Sequence, residues 1–254
     1  PEQDRSSEVV QLIVTESRLG KVEVIGNKWT PSQRLKTYFK TQPGDLISLK
    51  AISRDVNFMN RNPNRFVDII YSPGESENTT DLTLKVDERK QYHFYVGFDN
   101  TGVVTTGRER VFAGFSLDQV FGLDHLFFYQ YSTNYNVHRY HSNSFQYLAL
   151  LPFKSVLNLF GGFAIVHGNN SFPTQNNTGT NIQASVRYQM LLPPFDFYAH
   201  EIKIGFDLKN TNNTMEFVDF SPVFGQTVNL SQWILAYQGK WEKRDRLNEG
   251  ELSL

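Results

Sequence analysis

The chain has 254 residues, of which 39% are hydrophobic, 20% charged and 14% aromatic, with 25 basic against 26 acidic side chains and no cysteine. A balance so close to neutral argues against a phosphate-binding surface, so nucleic acid is not expected as a partner. Lack of cysteine excludes disulfide frameworks, thiolate zinc sites and thiol nucleophiles while leaving the compartment open, and no apolar run approaches the ~18 to 20 residues of a membrane helix.

The polar start, Pro1–Glu8, has no apolar core of a signal peptide. Val9–Thr15 reads as an apolar strand, and Lys21–Ile25 alternates as a second that ends at the turn Gly26-Asn27. Thr30 is placed to cap a helix with Pro31 at its first position, and Leu35, Tyr38 and Phe39 share one face before Pro43-Gly44 ends it. Ser48 caps the next helix, with Ile52, Val56 and Met59 at helical spacing and a stop at Asn60–Pro63. Phe66–Tyr71 and Asp81–Val86 follow as strands around a polar loop containing Pro73-Gly74. Strand, helix, helix, strand, strand is the order of an α+β module with its helices on one face of a small sheet.

Composition changes near residue 90. Residues 1–90 carry 14 Lys/Arg, 13 Asp/Glu and only six aromatics, as a water-soluble domain does. Residues 91–239 carry 16 charges in 149 positions, yet 29 Phe, Tyr and Trp lie between Tyr92 and Tyr237. The period there is two: Asn181, Gln183, Ser185, Arg187 and Gln189 interleave with Ile182, Ala184, Val186, Tyr188 and Met190. Glu201, Lys203, Gly205 and Asp207 alternate in the same way with Ile202, Ile204, Phe206 and Leu208. With Gln91–Asp99, Arg108–Leu117, Asp124–Thr133, Ser144–Pro152, Ser155–His167 and Val228–Trp241, about eight strands of ~10 residues or slightly more are expected.

Long, alternating, aromatic-rich antiparallel strands fit either a soluble sandwich or barrel, or an outer-membrane barrel. The polar positions are mostly Asn, Gln, Ser, Gly and Tyr rather than Lys and Glu, which favours a lumen over bulk solvent. Short connections at Gly122 and Pro152–Lys154 contrast with long polar ones at Asn134–Asn143, Gly168–Asn181 and Asn210–Gly225, an asymmetry typical of outer-membrane barrels. Phe127, Phe128, Tyr129 and Tyr131 read as a lipid face with its interfacial girdle, and outer-membrane lipid as a contact.

These segments carry a resemblance. Ile47-Ser48-Leu49 opening a helix, Asn60–Pro63 closing it, Tyr71-Ser72-Pro73-Gly74, Leu82-Thr83-Leu84-Lys85-Val86, Asp99-Asn100-Thr101-Gly102, Thr106-Gly107 and Leu117–Asp124 occur in order over roughly residues 9–133. The chain resembles the POTRA-plus-barrel transporters of two-partner secretion, the hemolysin-activator and filamentous-hemagglutinin-transporter type within the Omp85 superfamily. The resemblance implies an α+β POTRA domain (β-α-α-β-β) at 17–90, followed at 91–254 by strands of an antiparallel transmembrane β-barrel. Residues 1–16 would be a polar lead and the last strand of an upstream POTRA domain. Such barrels have about twice the strands counted here and a lumen loop containing Arg-Gly, which has no counterpart, and Arg246–Leu254 lacks a terminal aromatic. The expectation is an interior fragment of such a transporter, the other possibility being a self-contained eight-stranded relative.

What the resemblance implies about function is a non-enzymatic pore in the bacterial outer membrane, with its POTRA domain in the periplasm. It would capture an exported, unfolded partner protein and pass it outward, driven by partner folding outside the cell. Phe66, Val67, Ile69 and Tyr71 lie on the strand expected at the POTRA sheet edge, where an extended segment of another chain can add, although Phe66 and Ile69 can equally pack under the helices. Strand parity points Arg187, Gln189, Lys203 and Asp207 into the lumen, unless a bulge shifts the phase. Asp99, Asn100, Thr101, Gly102, Thr106 and Gly107 form the family-like barrel motif. No catalytic residue, cofactor, metal or nucleotide is expected: Asp118 and Asp124 flank a turn, His138 and His141 lie in a polar loop, and the glycine pairs do not open a helix after a strand. Two other readings stand: a barrel-assembly insertase of the same superfamily, which would act on many membrane barrels, and a soluble β-rich binding module, for which residues 91–254 would dissolve without detergent.

Overall fold

A computed structural model describes residues 16–253 except 105, 170–174, 194, 196–197, 218–219 and 244–245, so the strand expected at Val9–Thr15 lies outside the described residues. The chain divides into two compact units between Glu88 and Arg89.

The first unit runs β1 (Arg18–Ile25), α1 (Ser32–Tyr38), α2 (Leu49–Met59), β2 (Arg65–Pro73) and β3 (Thr79–Glu88). The sheet order is β1-β3-β2, with β1 parallel and β2 antiparallel to β3. A parallel pair needs a long crossover, and the two helices supply it. They bury Leu35, Tyr38, Phe39, Ile52, Phe58 and Met59 against Val67, Leu82, Leu84 and Val86 of the sheet. Tyr38 and Phe58 meet edge to face at 5.3 Å. Each large apolar side chain buried in this way contributes about 1.5–3 kcal/mol.

Two local expectations are corrected. The first helix is preceded by Pro31 in an extended conformation, with no side-chain cap. Thr30 does not cap it; its amide, with those of Lys28 and Trp29, donates to the buried carboxylate of Glu88 at the end of β3. In α2, Ser48 does cap, accepting from the Ala51 amide, but the buried stripe is Ile52, Asp55, Phe58 and Met59, with Val56 at its margin. Apolar spacing missed Asp55 because a buried carboxylate needs a partner supplied by the tertiary fold: it accepts the Lys40 amide at 2.8 Å.

The second unit is a meander of nine antiparallel strands, each paired with its sequence neighbours. They are β4 (Tyr92–Asp99), β5 (Arg110–Leu117), β6 (His125–Thr133), β7 (Tyr140–Leu151), β8 (Ser155–Asn169), β9 (Gln175–Leu191), β10 (Tyr198–Phe217), β11 (Phe220–Lys243) and β12 (Arg246–Ser253). The ninth, β12, lies outside the eight strands expected from sequence. β4 and β12 do not pair, so the sheet is an open part of a barrel. Strand lengths grow to 24 residues in β11, and the long polar connections expected at Gly168–Asn181 and Asn210–Gly225 are largely strand. Asn210 pairs with Asn229 and Thr211 with Val228, extending the β10–β11 ladder. Backbone pairing does not require apolar side chains, and composition alone misassigned these hairpin ends to loops.

Register fixes two faces. One carries Phe94, Val96, Phe115, Leu159, Ile182, Ile204, Leu208 and Trp233, with Phe94 and Trp233 each 74% exposed. The other carries the polar set. At Gly161 and Gly162 the neighbouring backbones approach closely: a Cβ at either would lie 2.2–2.3 Å from a backbone oxygen of β9 or β7. Among the described residues no helix is long and apolar enough to cross a membrane, which says nothing of crossing by strands.

Candidate functional site

Among the described residues of the first unit, β2 pairs only with β3 and forms one edge of the sheet. Its side chains alternate. Arg65 and Val67 are buried on the helix side, whereas Phe66 (61% exposed) and Ile70 (46%) lie on the open side. Phe66 therefore does not pack under the helices. Ile69 is half-buried, and Tyr71 is 46% exposed at the far end, where partial burial raises its phenol above the ordinary value. Arg65 is held by the Met59 carbonyl, to which its Nη2 donates at 2.8 Å.

The backbone of this edge is partly occupied. Val67 donates its N–H to Asn60 Oδ1 at 2.7 Å, and its carbonyl accepts from Asn60 Nδ2 at 3.0 Å. Sequence reasoning assigned Asn60 only to ending a helix, because the pairing with Val67 exists only once α2 packs beside β2.

In the second unit the polar face collects the four residues placed in a lumen by parity. Arg187 stands between Asn158 and Gly205, and Gln189 is opposite Lys203. The Arg187 guanidinium meets both carboxylate oxygens of Asp207 at 2.8 and 2.9 Å. Gly205 makes this possible, since a Cβ there would fall 2.4 Å from Arg187 Cδ. Gln189 donates to Glu201 across the same strand pair. Amide and hydroxyl contacts continue on β4 to β9: Tyr95 to Gln130 at 3.1 Å, Gln146 to Asn158 at 3.0 Å and Gln183 to Ser185 at 3.0 Å. Tyr95, Gln130, Gln146, Asn158 and Gln183, together with Phe128 and Phe160, line a hollow of about 840 Å³. Phe128 thus belongs to the polar face, not to the lipid-type face shared by Phe127, Tyr129 and Tyr131, because consecutive strand residues point to opposite sides.

The Asp99–Gly107 motif forms the β4–β5 connection. Asp99 accepts from both the amide and the hydroxyl of Thr101, at 2.9 and 2.6 Å. Asn100 is exposed. The Gly102 amide donates to the Arg108 carbonyl at 2.8 Å, and Gly107 adopts a left-handed φ of 90°. Arg110 gathers the loop, donating to the Gly107 carbonyl and the Thr106 hydroxyl at 2.7 Å each while lying 4.1 Å from the Tyr140 ring centre. Asn134 adds a bond to the Thr106 carbonyl. Arg110 opens β5 and Asn134 follows β6, and neither was foreseen.

A further cluster sits on the apolar face near the β9–β10 turn. His200 stacks between Phe195 and Tyr198, with ring centres 5.2 and 5.4 Å away, and Tyr198 contacts Trp241. The imidazole donates through Nε2 to the Pro193 carbonyl at 2.8 Å and accepts the Tyr237 hydroxyl at 3.0 Å. Such amphipathic rings gather at membrane interfaces. Among the described residues, no three His, Asp or Glu side chains converge as a metal site.

Comparison with known proteins agrees with this geometry. Residues 17–89 match the POTRA family, described as a surface antigen variable number repeat. Over 122 residues the chain is 31% identical to the outer membrane transporter CdiB of Dickeya dadantii, a match covering 48% of this chain and 21% of that protein. Outer membrane transporter CdiB-2 of Burkholderia pseudomallei is 27% identical over 127 residues, 50% of this chain and 21% of that one. The fold superposes on CdiB from Escherichia coli with a TM-score of 0.75 at 19% identity, covering 96% of this chain and 46% of that one. A BamA from Haemophilus ducreyi lacking POTRA domains 1–3 gives 0.51 at 15% identity, covering 94% and 48%. The chain thus spans about half the length of its structural relatives. A POTRA domain leads into outer-membrane barrel strands, and residues 78–216, more than half of the chain, match one family model: the chain belongs to the haemolysin secretion/activation protein ShlB/FhaC/HecB family of the bacterial outer membrane.

Proposed function

We propose that the protein of which this chain is part is a secretion pore, with residues 17–90 as a periplasmic recognition domain and residues 91–254 contributing wall strands. An exported, unfolded protein adds as a strand to the β2 edge, which runs through Phe66–Tyr71, and then passes along the polar face that carries Arg187, Gln189, Lys203 and Asp207. The apolar face lies against outer-membrane lipid. The observation that carries the reading is the inverted sheet of the second unit, with large apolar side chains exposed on one face and its ion pair on the other. A soluble β-rich module would have the reverse arrangement.

A neutral, amide-rich wall suits passage of an extended polypeptide. Asn, Gln, Ser and Tyr exchange hydrogen bonds with a moving backbone, and the Arg187–Asp207 pair presents little net charge to trap it. The first unit supplies what such a wall lacks, a place where backbone groups are held still for recognition.

The test places a photo-crosslinking phenylalanine at Ile70, exposed on the open side of the sheet, and, separately, at Gln189 in the full-length protein in cells. One exported polypeptide linked to both positions is the expected result. Adducts of many different outer-membrane barrels at Ile70 would replace the pore reading by the insertase one. Adducts at neither position, in protein that partitions with the membrane, would remove both.

A further inference from the structure

We propose that the Asn60 side chain is a built-in stop on the β2 edge, filling the Val67 slot as a strand residue would, so that an incoming strand can pair only over Ile69–Pro73. This rests on strand addition at β2 and specifies which part of that edge is open.

Successive residues of an edge strand turn their backbone groups alternately toward the neighbouring strand and outward. The phase on β2 is fixed by two observations. The Gly74 amide donates to the Thr79 carbonyl at 2.9 Å, so the even-numbered residues share the ladder with β3. Val86, opposite Val67, turns its carbonyl toward β1, where Gly26 lies close to it. The outward groups therefore belong to Arg65, Val67, Ile69, Tyr71 and Pro73.

Most of the outward donors are engaged within the chain. The Arg65 amide donates to the Asn62 carbonyl at 3.2 Å, closing the α2–β2 turn. The primary amide of Asn60 takes both groups of Val67, its oxygen accepting and its nitrogen donating. That is the pair of bonds an antiparallel neighbour exchanges with one residue. The Ile69 amide donates to its neighbour's carboxylate, Asp68 Oδ1, at 2.8 Å, and Pro73 has no N–H. Among the described residues, the open remainder is the Tyr71 amide with the carbonyls of Ile69, Tyr71 and Pro73. A strand that arrives there finds one donor and three acceptors, so the edge favours a segment rich in available N–H groups and without proline at the pairing positions.

Asn60 is well placed for this. It is the residue that ends α2, with its amide bonded to the Val56 carbonyl at 2.9 Å, so its side chain is anchored at the root. The stop also protects the chain itself, since an exposed edge invites pairing with any extended segment.

The test uses the full chain in detergent micelles and reads amide exchange at single residues. Asn60→Ala removes the stop, and Asn60→Asp keeps an acceptor for the Val67 amide while losing the donor to its carbonyl. In the chain without added peptide, Asn60→Ala speeds exchange at Val67 at least tenfold and leaves Tyr71 unchanged, while Asn60→Asp retains most of the protection. The probe is a synthetic peptide of alternating threonine and valine with lysines at its ends, with a copy N-methylated at alternate residues as control. With the original chain the probe slows Tyr71 and not Val67; with Asn60→Ala it slows both and binds roughly tenfold more tightly, as expected for two added hydrogen bonds. Equal Val67 exchange in the original and Asn60→Ala chains, or slowing of Val67 by the probe while Asn60 is present, overturns the stop. A probe that slows no β2 amide in either chain overturns strand addition itself, and the exchange measured without peptide tells the two failures apart.

Discussion

The two units solve the same burial problem in opposite directions. In the first, Leu35, Ile52, Phe58, Met59, Leu82 and Leu84 are sealed between helices and sheet, and the few buried charges, such as Asp55 and Glu88, hold backbone amides. In the second, Leu126, Ala149, Leu150, Val156 and Ala236 are the fully buried apolar side chains among the described residues, while Phe94, Val96 and Trp233 stand exposed and the Arg187–Asp207 pair is turned to the other face. The solvent accounts for the difference. Water pulls polar groups to the outside of the first unit, and hydrocarbon would expel them from the apolar face of the second. A hydropathy average over the whole chain hides both arrangements, because it mixes a charge-rich unit with a charge-poor, aromatic-rich one.

The contrast breaks first where packing is densest. Phe58→Ala removes a fully buried ring that meets Tyr38 edge to face and is expected to cost about 3–5 kcal/mol. Denaturant unfolding followed by limited proteolysis should show loss of the first unit alone, with the heat-modifiable gel shift of the strands unchanged. Loss of both together would mean that the units are not independent. Next comes a substitution on the apolar sheet face. Ile204→Arg, at a position 47% exposed, would be nearly neutral in water but costs about 2–4 kcal/mol at a bilayer midplane. Folding yield into lipid vesicles measures it, and an unchanged yield would sink the lipid assignment of that face.

How much of this could be read from the residues differs between the units for a physical reason. In the second, a period of two and the choice of Asn, Gln and Ser over Lys and Glu are local properties, so both faces followed from parity, while the Arg187–Asp207 pair needed the register of the folded sheet. Strand ends did not: Asn and Thr near Asn210 look like loop residues, yet the β10–β11 ladder runs through Asn212 opposite Thr227. In the first unit the element order and the Ser48 cap were legible, since both depend on a few consecutive residues. Glu88 binding the amides of Lys28, Trp29 and Thr30, Asp55 receiving the Lys40 amide, and Asn60 pairing with Val67 were not, since each joins residues brought together only by the fold. Buried polar side chains escape apolar periodicity in general; their partners are set by tertiary structure.

Those polar contacts supply the intermediate effects. Arg187→Leu leaves Asp207 as a nearly buried carboxylate without its guanidinium and is expected to cost about 1–3 kcal/mol, recovered in large part by adding Asp207→Asn. Refolding in detergent measures the cycle, and full additivity of the two changes would mean that the pair does not act as a pair. In the first unit, Glu88→Gln keeps one acceptor oxygen for the three amides but loses the charge, for an expected loss of about 1–2 kcal/mol by denaturant midpoint. A midpoint that does not move would remove Glu88 from the set of groups that fix the β1–α1 connection.

The smallest effect separates folding from recognition on one strand. Phe66 and Ile70 are both exposed on the open side of the sheet, so Phe66→Ser and Ile70→Ser should each change stability by no more than about 0.5 kcal/mol. Their consequences for strand addition differ. Ile70 lies between Ile69 and Tyr71, inside the segment whose outward carbonyls and amide are open, and its side chain would flank those of an added strand on the same face. Phe66 lies beyond the Val67 position that Asn60 occupies. Ile70→Ser should therefore weaken binding of the threonine–valine peptide about threefold, and Phe66→Ser should leave it unchanged until Asn60→Ala opens the rest of the edge. If Phe66→Ser alone weakens binding as much as Ile70→Ser, the incoming strand already reaches past Val67, and the side chain of Asn60 yields to it rather than stopping it.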